Sequence, residues 1–239
     1  MAAIKVLLID PQEIFRVGIE KILAGDNEIK IIGSVGNGDD GIAKSRELSP
    51  DLIILDIDLP GMGGIEAVRK LFRYVPKAKV IVLSTLIMEP FPSKLLEMGV
   101  KGYLSKSASA NELREAIRAV AKGQHFLSPV IAQELALHHV KQEKTPFDGL
   151  SSRELQVMQY MIKGEKAPVI AKKLFIQGKT INTYRYRIFE KLGVSSDVDV
   201  THLAIKHGLI NVAENNSKQL ETDSVKKKKG LTKSIFSKP

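Results

Sequence analysis

Cysteine and tryptophan are absent from these 239 residues, and aromatic residues make up only 5% of them. Without cysteine there can be no disulfide and no thiolate metal site, which fits a reducing cytoplasm. Long apolar runs are missing too. No stretch approaches the roughly 18 residues needed to cross a bilayer. The first residues lack the basic start and long apolar centre of a signal peptide. Hydrophobic residues nevertheless reach 44%, enough for real cores, and the length favours two modest domains over one. The net charge of +9 is unevenly spread. Residues 1–120 carry sixteen basic and sixteen acidic side chains, and 121–149 carry three of each. Residues 150–213 carry ten basic against five acidic, and 214–239 seven against three. A neutral module followed by a basic one is the asymmetry expected of a nucleic-acid binder.

What is present centres on Leu52-Ile53-Ile54-Leu55-Asp56-Ile57-Asp58-Leu59-Pro60-Gly61. Four apolar residues running into a carboxylate suit a central parallel strand buried on both faces. Asp56 then stands at the carboxyl edge of the sheet, where open α/β folds bind ligands. Three other strand ends converge there: Lys5–Ile9 runs into Asp10, Val80–Ser84 ends in a hydroxyl, and Tyr103-Leu104-Ser105 leads to Lys106. Chemically, this set makes Asp56 a candidate phosphoryl acceptor. Asp10 would help hold a divalent cation through hard oxygen ligands. Ser84 and Lys106 would bond and neutralise the phosphoryl oxygens. Taken alone, Asp56 would read as a solvated strand-end acid.

Strands and helices alternate through residue 123: candidate strands at 5–9, 29–35, 52–56, 80–84 and around 103–105, with helices between and after them. This rhythm implies a doubly wound, five-stranded parallel sheet. The constellation resembles the receiver domain of two-component response regulators, a flavodoxin-like α/β fold, over roughly the first half of the chain. The resemblance implies phosphorylation of Asp56 by a sensor histidine kinase with Mg2+ held by Asp10 and Asp56. It also implies that Ser84 moves toward the phosphoryl group and Tyr103 follows inward. Tyr103 reads equally well as a half-buried strand aromatic. One departure stands out. Receivers usually end the first strand in two acids, but here Pro11 follows Asp10, so the metal site loses a carboxylate. Two readings stay open: phosphorylation with weakened Mg2+ dependence, or a receiver that has drifted to phosphate-independent control. Asp58 is a further acid whose side chain need not face the ion.

Residues 124–149 read as a linker, with a short helix opened by Ser128-Pro129 through about Leu137 and a flexible polar stretch 138–149. His138 and His139 have no third ligand at suitable spacing and read as solvated. Residues 150–212 read as an all-α domain of four helices. Ser151 with Glu154 forms a capping box, Pro168 opens a second helix, Lys179–Leu192 is a third and Val198–His207 a fourth. Two helices joined by a tight turn, the second polar and basic, describe a helix-turn-helix. The pattern Leu150…Arg153-Glu154…Ile170-Ala171…Leu174…Thr180-Ile181…Ile188…Lys191-Leu192 resembles the LuxR-type domain of NarL/FixJ regulators. Asn182 to Leu192, Glu89-Pro90-Phe91-Pro92 and Ser195-Ser196-Asp197 are similar to the GacA/UvrY branch. This likeness implies a dimer on double-stranded DNA, and in that branch an output through small regulatory RNA genes.

Asn182, Thr183 and Tyr186 are the candidates for base edges, while Lys179, Arg185 and Arg187 suit phosphates. For Arg185 a merely solvated charge is an even alternative. Gln177 stands where the family commonly places serine, so the third helix lacks a good N-cap. Residues 213–239, with Lys226-Lys227-Lys228-Lys229, read as a disordered basic tail. The leading expectation is a DNA-binding transcriptional response regulator gated at Asp56 and not an enzyme. The alternative is an atypical receiver acting as a constitutive DNA binder or a protein-binding adaptor.

Overall fold

The computed structural model describes residues 3–141 and 145–209; the expected basic tail lies outside them. Six parallel strands form one sheet in the order β2-β1-β3-β4-β5-β6. They are β1 (Ile4–Ile9), β2 (Ile29–Val35), β3 (Leu52–Leu55), β4 (Val80–Ser84), β5 (Gly102–Ser105) and β6 (Phe126–Leu127). Five helices alternate with the first five strands: α1 (Glu13–Leu23), α2 (Gly38–Leu48), α3 (Gly64–Tyr74), α4 (Phe91–Glu97) and α5 (Ala110–Ala121).

The central strands β3 and β4 are almost wholly apolar because both faces are covered, and their side chains sort by alternation. Val6, Leu8, Ile54, Ile81 and Leu83 pack on one side with Ile19 and Leu23 of α1 and Leu113, Ile117 and Val120 of α5. Leu7, Ile9, Ile53, Leu55 and Val82 pack on the other with Val68 and Leu71 of α3 and Phe91 and Leu95 of α4. Asn37 and Ser109 cap α2 and α5 by accepting the backbone N–H groups of Asp40 and Glu112.

The expected five-stranded sheet is corrected to six. Phe126–Leu127 adds a two-residue strand to the outer edge of β5, too short to give a periodic signal. The linker helix, α6, also runs further than expected, over Pro129–Lys141. The flexible stretch expected through 149 is corrected at its end. Pro146–Gly149 forms a 3-10 turn with a Thr145/Asp148 capping box, and Phe147 is fully buried.

The second domain comprises α7 (Ser152–Ile162), α8 (Ala167–Leu174), α9 (Gly178–Leu192) and α10 (Asp197–Lys206). The Ser151/Glu154 capping box forms as expected, and Gln177 provides no side-chain cap for α9. Leu155, Met158, Ile170, Leu174, Ile181, Ile188 and Val200 close its core, which is continuous with the α3–α4 side of the receiver.

Gly64 starts α3 with its backbone against Ile57. A Cβ there would overlap the Ile57 Cα, carbonyl carbon and oxygen, none of which can rotate away. Gly64→Ala should therefore destabilise the fold by about 2–3 kcal/mol, the cost of forced overpacking, as a lower urea midpoint.

Candidate functional site

Adjacent parallel strands bring their carboxyl ends together, and the residues just beyond them meet. The Asp56 N–H donates to the Ile9 carbonyl (2.9 Å) and the Lys106 N–H to the Ser84 carbonyl (2.9 Å), holding the end of β3 against β1 and the end of β5 against β4. Lys106 Nζ lies 2.6 Å from Asp10 Oδ2 and 2.6 Å from Asp56 Oδ2. Both carboxylate side chains are 2% exposed and the lysine 9%. The other oxygens are also engaged: Asp10 Oδ1 accepts the Gln12 N–H (2.7 Å) and Asp56 Oδ1 the Asp58 N–H (3.1 Å). Phe15 of α1 covers the ammonium, its ring centroid 4.4 Å from Nζ.

Burial raises the Asp56 carboxyl from its ordinary value to about 6; the charge and hydrogen bond of Lys106 pull against this. Burial alone would lower the Lys106 pKa, but Asp56 and Asp10 outweigh it, so the net direction is up. Lys106 thus stays a cation. A carboxylate nucleophile beside a fixed ammonium, at an edge with a buried hydroxyl nearby, is suited to accept a phosphoryl group.

The site fits a divalent cation less well. Only Asp10 and Asp56 supply carboxylates in the pocket, each already bonded to Lys106, and Pro11 supplies none. Among the described residues no group of three acid, histidine or cysteine side chains could hold a metal. This donor set does not make a ready divalent site.

Ser84 is fully buried, with its Oγ accepting the Leu86 N–H (3.0 Å). Tyr103 is also fully buried, and its hydroxyl donates to the Leu86 carbonyl at 2.5 Å. The ring is fully buried, not half-buried, and belongs to the core cluster that also holds Phe91, Leu95 and Ile131 of α6. Burial holds its hydroxyl well above the ordinary tyrosine pKa.

Asp58 has a role the sequence did not reveal. Its carboxylate pairs with Lys163, which caps the end of α7, at 3.0 Å. The same β3–α3 loop is gripped by the second domain at Gly61. The Gly61 N–H donates to the Lys173 carbonyl (2.9 Å), and its carbonyl accepts Arg153 Nη1 (2.6 Å). Arg153 also bonds the Leu174 carbonyl (3.1 Å), and Arg69 of α3 bonds Ser152 Oγ (2.9 Å). Side chains are excluded here: a Cβ on Gly63 would collide with the Gln156 amide. Beyond the loop, Lys94 of α4 donates to the Asp148 (3.0 Å) and Leu150 (2.6 Å) carbonyls. These contacts form a clasp that starts two residues from Asp56.

On α9, Lys179, Asn182, Thr183, Tyr186 and Arg187 are exposed on one side, opposite buried Ile181 and Ile188. Tyr186 is 72% exposed. Arg185 stands apart from this set. It makes a two-pronged ion pair with Asp197, Nε to Oδ1 at 3.0 Å and Nη2 to Oδ2 at 2.8 Å, tying α9 to the start of α10.

Two family profiles match the chain, "Response regulator receiver domain" over residues 6–118 and "Bacterial regulatory proteins, luxR family" over residues 148–204. The chain belongs to the two-component response regulators of the luxR type, a DNA-binding class. It is 43% identical over 212 residues to response regulator GacA of Pseudomonas aeruginosa, covering 88% of this chain and 99% of that protein. It is 44% identical over 218 residues to response regulator UvrY of Escherichia coli, covering 90% and 100%. Among solved structures, the RcsB–DNA complex aligns with TM-score 0.55 and 25% identity over 84% of this chain and 97% of that one. A LuxR-family response regulator from Aurantimonas aligns with TM-score 0.56 and 30% identity, over 58% and 99%. Receivers of this family generally use Mg2+. No described helix is long and apolar enough to cross a membrane.

Because the folded Asp56 carboxyl holds its proton more tightly than the unfolded one, its contribution favours the fold at pH below about 4. That contribution is lost as pH rises from about 4 to 6. Two decades of proton affinity amount to about 3 kcal/mol. Asp56→Asn, neutral and of the same shape, should therefore be more stable than the parent at pH 7.5 by up to about 3 kcal/mol. Urea midpoints should show the advantage shrinking at pH 4.5; an equal difference at both pH values would contradict it.

Proposed function

We propose that this regulator binds DNA under the control of phosphorylation at Asp56 by a sensor histidine kinase, in the cytoplasm and as a homodimer. The observation that carries the reading is the buried bridge of Asp10, Lys106 and Asp56, joined through Asp58 to the second domain. On phosphorylation Ser84 and Lys106 bond the phosphoryl oxygens. The added charge lies beside the Asp58 N–H and close to its carboxylate. It reshapes the loop that carries the Lys163 pair and the Gly61 bonds, and the clasp loosens.

The exposed face of α9 is already open, so the gate acts by position and not by uncovering. A dimer must seat two recognition helices one turn of DNA apart, about 34 Å, which a strapped domain cannot adjust to. Asn182, Thr183 and Tyr186 read base edges, while Lys179 and Arg187 bind phosphates. Arg185 anchors α10 through Asp197. Magnesium dependence is weakened, because Pro11 replaces the second acid and Lys106 already neutralises Asp10 and Asp56, the two carboxylates that would hold the ion.

The second reading, a constitutive DNA binder or adaptor, draws on Tyr103, whose inward position leaves it little to do on phosphorylation. One titration separates the two. Promoter fragments of the regulator's own genome are bound with and without acetyl phosphate, over a range of Mg2+ concentrations, by the parent protein and Asp56→Asn. Phosphate-enhanced, sequence-specific binding in the parent alone, with shallow Mg2+ dependence, is expected; binding indifferent to phosphate supports the second reading.

A further inference from the structure

The acid pocket has a member on no strand end. Phe15, in the first turn of α1, places the face of its ring 4.4 Å, centroid to Nζ, from the same Lys106 ammonium that bridges Asp10 and Asp56. The ring is partly buried, packed against the α1–α5 core. An ammonium that gives up most of its water needs its remaining faces covered by something with negative character. Two carboxylates cover two of them, and the face of an aromatic ring can cover a third. Receivers usually have a second acid where this chain has Pro11, so here there is less negative charge to hold the lysine.

We infer that Phe15 is a positioning residue for phosphoryl capture, holding the Lys106 ammonium over Asp56 in a pocket short of one carboxylate. This rests on the reading of Asp56 as phosphoryl acceptor. In transfer from acetyl phosphate, an Asp56 carboxylate oxygen forms a bond to phosphorus. The phosphorus–oxygen bond to acetate breaks, and acetate leaves with that electron pair. Lys106 keeps its proton throughout, and its charge faces the oxygens of the transferring group. Losing the ring leaves the lysine in the pocket but frees it to turn toward water, so the effect falls on the rate of transfer and not on encounter with the donor.

The test is phosphoaspartate formation by the full-length protein over a range of acetyl phosphate concentrations. Phe15→Leu should lower the maximal rate about tenfold, the worth of a desolvated cation–ring contact, with little change in the half-saturating concentration. Phe15→Tyr, which keeps the ring face, should stay within about twofold of the parent. If Phe15→Leu fails to fold, Phe15→Met, which fills similar space without a ring, is read in the same way. A parent that labels at Asp56 while Phe15→Leu labels at the same rate overturns the inference and leaves the acceptor reading intact. So does Phe15→Tyr losing as much as Phe15→Leu. A parent that takes no label, or labels equally as Asp56→Asn, overturns the acceptor reading and the inference with it.

Discussion

Two carboxylates at the end of a parallel sheet repel each other, and burying them side by side is tolerable only if a cation stands between them. Lys106 fills that place, 2.6 Å from each, and the rest of the site follows from it. Burial raises Asp56, the ammonium partly restores its ionisation, and the nucleophile is left in an environment sensitive to any new charge. A buried ion pair is weak evidence for stability in itself. This one makes the pocket readable as a switch: a group that adds negative charge must rearrange the partners of Lys106.

The second domain meets the receiver at the loop that leaves this pocket. Loop residues Asp58, Gly61 and Gly63 are met by Lys163, Arg153, Gln156 and the Lys173 carbonyl. Close approach of two backbones needs residues without side chains, and Gly61, at φ +72°, supplies both the room and the left-handed turn. Most of these bonds are partly exposed, so each is worth little alone. Together they give a contact that folds shut reliably yet can be released by a local change of a few kcal/mol.

The receiver sheet was legible in the sequence because buried parallel strands are near-continuous apolar runs, and four of them lead into the residues that carry chemistry. β6 escaped because two residues have no period. Phe147 escaped because a single aromatic in a polar stretch looks like linker, and only the docked α4 and α9 show it as core. Arg185 read as one basic residue among the DNA candidates, and its ion pair did not show. Its partner Asp197 lies twelve residues on, across a helix end, where no helical spacing points. Asp58 was weighed only against the metal, since Lys163 is 105 positions away and comes close only when the domains dock. What sequence periodicity cannot supply is the pairing between separately folded units, and there the functional coupling sits.

The central claim is that charge at Asp56 loosens the grip of the β3–α3 loop on the second domain. The absence of cysteine makes this directly measurable. Spin labels on single cysteines introduced at exposed Glu115 and Lys206 would report the interdomain distance with and without beryllofluoride, a phosphoryl mimic. The account predicts a longer and broader distance distribution with beryllofluoride, absent in Asp56→Asn and already present without it in Lys163→Gln. An interdomain distance that beryllofluoride leaves unchanged, while occupying Asp56, would contradict it.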